Sequence, residues 1–408
     1  MAIDQTTLFD DEVEELVAEV PNTGEDIEDL EPLDTDTISQ SVVSGTDWTT
    51  ETIISQINKG NILLNPRFQR RDAWEVERKS RFIESLILGL PIPQLVLAES
   101  KTQRGEYIVI DGKQRLLSIR QFASSPNDDV FSLLRLKGLK LRPELGNKSL
   151  YNLTHDPNLR AELNSFENQP IRTMVIKNWP NESFLYQVFL RLNTGSVPLS
   201  SQELRQALHP GPFVDYADEK SADSPALRNL LKIKKPDFRM RDVELLVRYF
   251  AFKNFLDLYR GDLKTFLDTC CENLNKEWFT VETTVQGQLE QFEEAYIASK
   301  KIFGPNQPFR KWLGSKYEAR FNRAIFDVIM FYFSDVGIRD LALQRQEQVE
   351  IEFKRLCVED TAFLSSIERT TKSLDATCHR LAKWAEALNK TLSLDLQVPY
   401  LDNNRIIR

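Results

Sequence analysis

Histidine, cysteine and glycine are all scarce in this 408-residue chain, at 3, 4 and 15 residues. Three histidines, His155, His209 and His379, lie far apart in sequence, which argues against the clustered imidazoles of a histidine-dependent nuclease or metalloprotease. The cysteines fit no disulfide framework and no CxxC pair. Cys270 falls on the apolar stripe Leu263, Phe266, Leu267 and Leu274, so reduced core thiols are expected and neither a zinc nor a haem site. So few glycines leave little material for a phosphate-cradling loop, and no GxG pair, Walker A sequence, HExxH or GxSxG occurs. Long apolar runs are missing too. The longest is the six residues Val328 to Phe333, against the ~18 a membrane span needs. With an acidic rather than basic stretch from Met1 to Asp11, no secretory signal is read and a cytoplasmic protein is expected.

What the chain has is 41% hydrophobic residues, 24 of them Phe, enough for a real core, and a length that suits two or three domains. Its formal charge of −9 is unevenly placed. Residues 1–47 hold fifteen acidic side chains and no Lys or Arg, so the remainder carries a net +6. Such a block reads as a disordered tail. Two roles are open for it: a solvating leader, or a polyanion mimic that competes with nucleic acid or nucleotide for a basic groove.

From Trp48 the pattern turns to dense apolar and charged alternation. A short helix is expected around Ile53, Ile54 and Ile57. Asn65 to Arg71 reads as an extended segment, because Asn-Pro disfavours helix before the proline. Asp72 with Glu75 has capping-box spacing for a helix carrying Phe82, Ile83, Leu86, Ile87 and Leu90, which Gly89 and Pro91 end. Gln94 to Ala98 and Glu106 to Ile110 read as neighbouring strands. Ile171 to Ile176 is a third strand and Glu182 to Asn193 a helix. Ser200 and Glu203 form another capping box. Beyond about residue 240 helical steps dominate, as in Val243, Leu246, Val247, Phe250, Ala251, Phe255 and Leu258. The fold class is therefore α+β: a small α/β domain followed by a mostly helical one. The expected boundaries are an acidic tail over 1–47, an α/β domain over 48–225, a helical domain over 226–398 and a frayed terminus over 399–408.

The strongest local motif is Asp111-Gly112-Lys113-Gln114-Arg115, which follows a strand and opens a helix. The first turn of a helix presents unpaired N–H groups and a positive dipole end, so an anion fits there. Lys113 and Arg115 add cations, Gln114 an amide, and Asp111 a carboxylate for a metal ion or a water. By itself a strand-DG-helix turn is as well an ordinary turn with solvated charges. Two other polar segments accompany it: Arg191 to Gly195 at a helix end, and Gln69, Arg70 and Arg71. A basic cluster, Arg228, Lys232, Lys234, Lys235, Arg239 and Arg241, is the best nucleic-acid patch, with a solvated loop as the bland alternative.

These residues resemble a known family. Asn65-Pro66, Gln69-Arg70, Trp74, Ile108 to Leu116, Phe189 to Gly195, Pro198 to Ser200 and Gln202 to Arg205 match, in order and spacing over about residues 48–255, the N-terminal domain of GmrSD-type restriction proteins. The resemblance implies a fold similar to the ParB and sulfiredoxin nucleotide-binding domains, with a signature Asp-Gly-Gln-Gln-Arg linked to nucleotide hydrolysis. Lys113 replaces the first Gln of that signature. By resemblance Asp111 and Arg115 are the catalytic pair, with Asp111 also a candidate Mg²⁺ ligand. Gly112, Lys113, Gln114, Gln69, Arg70, Arg191, Asn193, Thr194 and Gly195 are the nucleotide-binding set. The implied ligand is a nucleoside triphosphate with Mg²⁺, its base open. Many members add a His-Asn-His nuclease, for which this chain has no histidine cluster, so a separate nuclease or modification-system chain is an expected partner. DNA is a second, at Lys232, Lys234, Lys235 and Arg239. The leading expectation is a restriction or anti-phage nucleoside triphosphatase; the alternative is a ParB-like nucleotide-gated DNA-binding module without turnover.

Overall fold

A computed structural model describes residues 41–64, 71–192, 200–368 and 371–408. These form two compact units, 41–208 with 238–240, and 209–237 with 241–408. The first is α/β and the second helical, so the expected α+β class holds.

In the first unit β1 (Val42–Thr49), β2 (Leu95–Glu99), β3 (Tyr107–Asp111) and β4 (Pro170–Lys177) form one sheet in the order β1-β4-β2-β3. β2 and β4 are parallel, and the two outer pairings are antiparallel. Successive side chains on a strand face opposite ways, and here the alternation divides two cores. Leu95, Leu97 and Val109 pack with Ile53, Phe82, Ile83, Leu116, Leu117 and Phe122. Val96, Ala98, Ile108 and Ile110 pack with Trp179, Phe184, Leu185, Phe189 and Leu204. A sheet buried on both faces needs near-continuous apolar strands, which is why β2 reads Leu-Val-Leu-Ala. Five helices cover the first face: α1 (Thr50–Asn58), α2 (Val76–Ile87), α3 (Lys113–Phe122), α4 (Leu150–His155) and α5 (Arg160–Asn168). Two cover the second, α6 (Glu182–Leu192) and α7 (Ser201–Leu208).

Several expectations are corrected. The acidic tail does not run to 47, because β1 begins at Val42 and pairs with β4 residue for residue, from Val42 opposite Lys177 to Thr49 opposite Pro170. Asp72 does not cap α2. Its carboxylate accepts the Trp74 N–H at 3.3 Å and pairs with the buried Lys79, so the helix starts later, with Glu75 as its N-cap. Gly89, with φ of +68°, ends α2 as expected. The domain boundary falls after Leu208 rather than at 225, because α8 (Pro212–Asp223) packs on α10 (Arg241–Phe255) and α11 (Leu263–Lys276) of the second unit. Asn275 fixes that junction, its Oδ1 accepting from the Phe213 and Val214 N–H groups and its Nδ2 donating to the His209 carbonyl.

The rest of the second unit comprises α9 (Pro225–Leu231), α12 (Trp278–Phe303), α13 (Arg323–Phe333), α14 (Val336–Gln344), α15 (Gln346–Glu359), α16 (Thr361–Glu368) and α17 (Leu374–Leu392). Its core holds the apolar stripe of α10 through Ala251, but the helix stops at Phe255, so Leu256 is buried and Leu258 exposed. All four cysteines are buried thiols outside any disulfide. The last residues are not frayed: Tyr400–Asp402 and Arg405–Ile407 pair as a hairpin. Asn403 and Asn404 both adopt positive φ, as a two-residue hairpin turn of the right twist requires, and Ile406 anchors it in the core. No helix among the described residues is long and apolar enough to cross a membrane.

Candidate functional site

β3 ends in a bulge. Leu97 pairs with Val109 and Val96 with Asp111, which leaves Ile110 as the extra residue. A bulge twists its strand and re-aims the next side chain, here Asp111. Gly112 then turns the chain with φ of +100°. No other residue suits the position, since a Cβ would lie 2.3 Å from Leu95 Cδ2 and 3.2 Å from the Arg115 guanidinium. The glycine is needed for this turn and its packing, a more immediate reason than approach to a ligand.

α3 starts directly behind that turn. Its N-cap offers no side chain to the first N–H groups and its first turn has no acidic residue. Arg115 folds back along the helix, its Nη2 donating to Asp111 Oδ2 at 2.8 Å and to the Gln94 carbonyl at 3.1 Å. Asp111 remains 27% exposed, whereas Arg115 is only 8% exposed. Two buried atoms here lack a hydrogen-bond partner, Arg115 Nε and Gln114 Oε1. Desolvating a polar group without a partner costs about 1–3 kcal/mol, so orphaned atoms at a polar edge mark a place where a ligand or water completes the set.

Lys113, an expected nucleotide-binding residue, is paired with a carboxylate. Its ammonium meets Glu203 Oε1 at 2.5 Å, with both side chains nearly buried. Glu203 is held in turn by the capping box of α7: Ser200 N–H donates to Glu203 Oε2 at 2.7 Å, and Glu203 N–H to Ser200 Oγ at 3.1 Å. The first residue of α3 is thus tied to the first turn of α7 across 90 residues of sequence. The capping box was readable from the sequence; its partner lysine was not. Around the core residue Leu204, α7 also buries Gln202, Glu203, Arg205 and Gln206, and Gln202 Nε2 lacks a partner. Gln94 and Glu203 are the residues touching the turn that sequence reasoning did not assign to the site. Four polar residues flanking Leu204 on one short helix were the available signal.

Among the other expected residues, Arg191 stands exposed on the last turn of α6 and shares no hydrogen bond or ion pair with the 111–115 turn. Gln69, Arg70, Asn193, Thr194 and Gly195 lie outside the described residues. In the basic cluster, Arg228 donates to the Ala222 carbonyl and Arg241 makes a two-pronged bond with the buried Asp237 at 2.9 Å. Lys232, Lys234 and Lys235 are exposed, and Arg239 lies over the Phe238 ring at 5.3 Å.

A strand, a left-handed glycine turn and a helix start carrying a carboxylate and a guanidinium form one polar edge of the α/β unit. Residues 50–210 match the family model described as GmrSD restriction endonuclease, N-terminal domain. That segment is similar to the GmrSD-type N-terminal domain that its motifs resemble. Comparison with curated proteins gives no match, and comparison with solved structures gives none.

Proposed function

We propose that this is a restriction-type, anti-phage defence protein whose GmrSD-type domain binds a nucleoside triphosphate with Mg²⁺ and hydrolyses it. One observation carries the reading: within the matched segment, the uncapped start of α3 offers its N–H groups beside Arg115 Nε and Gln114 Oε1, both buried and without partners. In this reading the phosphate chain takes the helix N–H groups and the Arg115 guanidinium. Gln69, Arg70, Arg191, Asn193, Thr194 and Gly195 complete the pocket. Asp111 is the one carboxylate of the turn, with one oxygen engaged by Arg115. A single carboxylate oxygen suits Mg²⁺, which keeps most of its shell as water and substrate phosphate. Bound there, the ion would neutralise charge on the phosphates. Asp111 would then orient the attacking water, and Arg115, released to the phosphates, would stabilise the developing charge. The protein acts in the cytoplasm, Lys232, Lys234, Lys235 and Arg239 contact DNA, and another chain does the cutting.

The test is phosphate release from ATP, GTP, CTP and UTP with Mg²⁺, with and without DNA, for wild type, Asp111→Ala and Arg115→Ala. Turnover of at least one nucleotide, lost in both variants, is expected. Turnover unaffected by either substitution would overturn the assignment. The Arg115–Asp111 pair itself favours a second reading, a ParB-like nucleotide-gated DNA-binding module, because a carboxylate held by an arginine at 2.8 Å is less available as base or ligand. Binding without turnover, abolished by Arg115→Ala, would select it.

A further inference from the structure

The helical unit has a cavity of its own, of about 360 Å³, lined by α10, the end of α13, the start of α14 and the segment around the last hairpin. Its walls are half apolar: Phe331, Tyr332, Ile338, Leu396 and Pro399. Its charged groups are Lys253, Asp335 and Arg408. Asp335 is already engaged, its Oδ1 accepting the Ile338 N–H at 3.0 Å as the N-cap of α14. Lys253 donates to Ser334 Oγ at 2.9 Å and forms no ion pair among the described residues. An ammonium has three donors, so two remain for a ligand. Arg408 lies over the face of Phe331, 5.3 Å from the ring centre, also without an ion pair among the described residues.

A half-buried lysine normally faces a carboxylate, because desolvation of an unpaired charge is expensive. Lys253 has Asp335 nearby but beyond ion-pair distance, and two like charges, Arg408 and Arg339, around it. Its pKa is held below the ordinary 10.5 first by burial and then by Arg408 and Arg339, with Asp335 opposing. Arg339 is spent on Glu294 and on the Phe333 carbonyl. Two cations, Lys253 and Arg408, thus line a partly apolar cavity whose one carboxylate, Asp335, is engaged as a helix cap, the composition of a small-molecule site, in which a few polar groups orient an otherwise apolar ligand.

We propose that this cavity binds a small organic anion, with its phosphate or carboxylate head on Lys253 and Arg408 and a planar or apolar body against Phe331, Tyr332 and Ile338. The site is separate from the Asp111 to Arg115 turn and does not depend on the function assigned to it.

Calorimetric titration of the full chain with phenyl phosphate, benzoate and inorganic phosphate tests this. Phenyl phosphate or benzoate should bind, and more tightly than inorganic phosphate, which lacks the body. Lys253→Met and Arg408→Ala should each weaken binding by about tenfold, the scale of one charge-assisted hydrogen bond, while Lys253→Arg should retain it. Arg408 is exposed, so its substitution leaves the fold intact whatever becomes of Lys253→Met. Repeating the titrations in an Arg115→Ala background removes phosphate binding at the nucleotide turn, and the dependence on Lys253 and Arg408 should persist there. The phosphate and carboxylate arms tell which head group is preferred. Absence of binding by both aromatic probes, or binding indifferent to both Lys253→Met and Arg408→Ala, would overturn the proposal.

Discussion

Each unit contains an arginine–aspartate pair, and the two pairs are placed very differently. Arg115 and Asp111 meet at 2.8 Å at the open start of a helix, with the carboxylate 27% exposed. Arg248 grips Asp327 through two bonds, at 2.5 and 2.7 Å, in the centre of the helical unit, where the carboxylate is 2% exposed and a second buried cation, Arg380, lies 3.7 Å away. The same two functional groups therefore do different work. A sealed pair fixes the packing of α10, α13 and α17, whereas a pair at a helix start can exchange its partner for a ligand. Chemistry is to be expected from the edge and stability from the interior.

The sharpest way to break this contrast is Asp327→Ala, which strands two buried guanidinium groups and should remove about 3–5 kcal/mol of stability, measured by chemical denaturation. Asp111→Ala should cost no more than about 1 kcal/mol, since its pair is partly solvated. Equal losses would erase the distinction. Next in size is Gly112→Ala, where strain at positive φ and the clash with Leu95 should cost about 1–3 kcal/mol and distort the turn. Ser200→Ala removes half of the capping box that positions Glu203, for about 1 kcal/mol. A nucleotide affinity that falls with this substitution would show that α7 positions the 111–115 turn through Lys113.

The smallest effect concerns the thiols. Burial raises the pKa of Cys357 and Cys378 to about 11, above the ordinary 9. The charged form is thus disfavoured in the folded state, so native stability should decline as pH rises from about 9 towards 11. Alkylation at pH 8 should be slow until denaturant is added. Rapid labelling of the native chain would place these cysteines outside the core.

Much of the first unit was legible because its signals are local. Alternation in β2 and β3, the glycine turn before Lys113 and the Ser200–Glu203 spacing each lie within a few residues. β1 was illegible for the opposite reason. Val-Val-Ser-Gly-Thr-Asp is a poor strand by composition, and it is a strand because β4 supplies a full partner along its length. The last hairpin likewise depends on Ile406 finding the core and on two asparagines accepting left-handed backbone. In the site, Asp111, Gly112 and Arg115 could be named from sequence, but the tie between Lys113 and Glu203 spans most of the domain and has no local trace. A lysine beside a turn shows its charge in the sequence but not the carboxylate it pairs with.

We propose that the edge of the first unit, not the helical interior, receives the nucleotide. This is tested most directly by titrating wild type and Arg115→Ala with each nucleoside triphosphate and Mg²⁺ at matched thermal stability. The account predicts binding by wild type that weakens about tenfold or more when the guanidinium is removed, as for the loss of a charge-assisted contact. Affinity unchanged in Arg115→Ala, or no nucleotide bound by wild type, would contradict it.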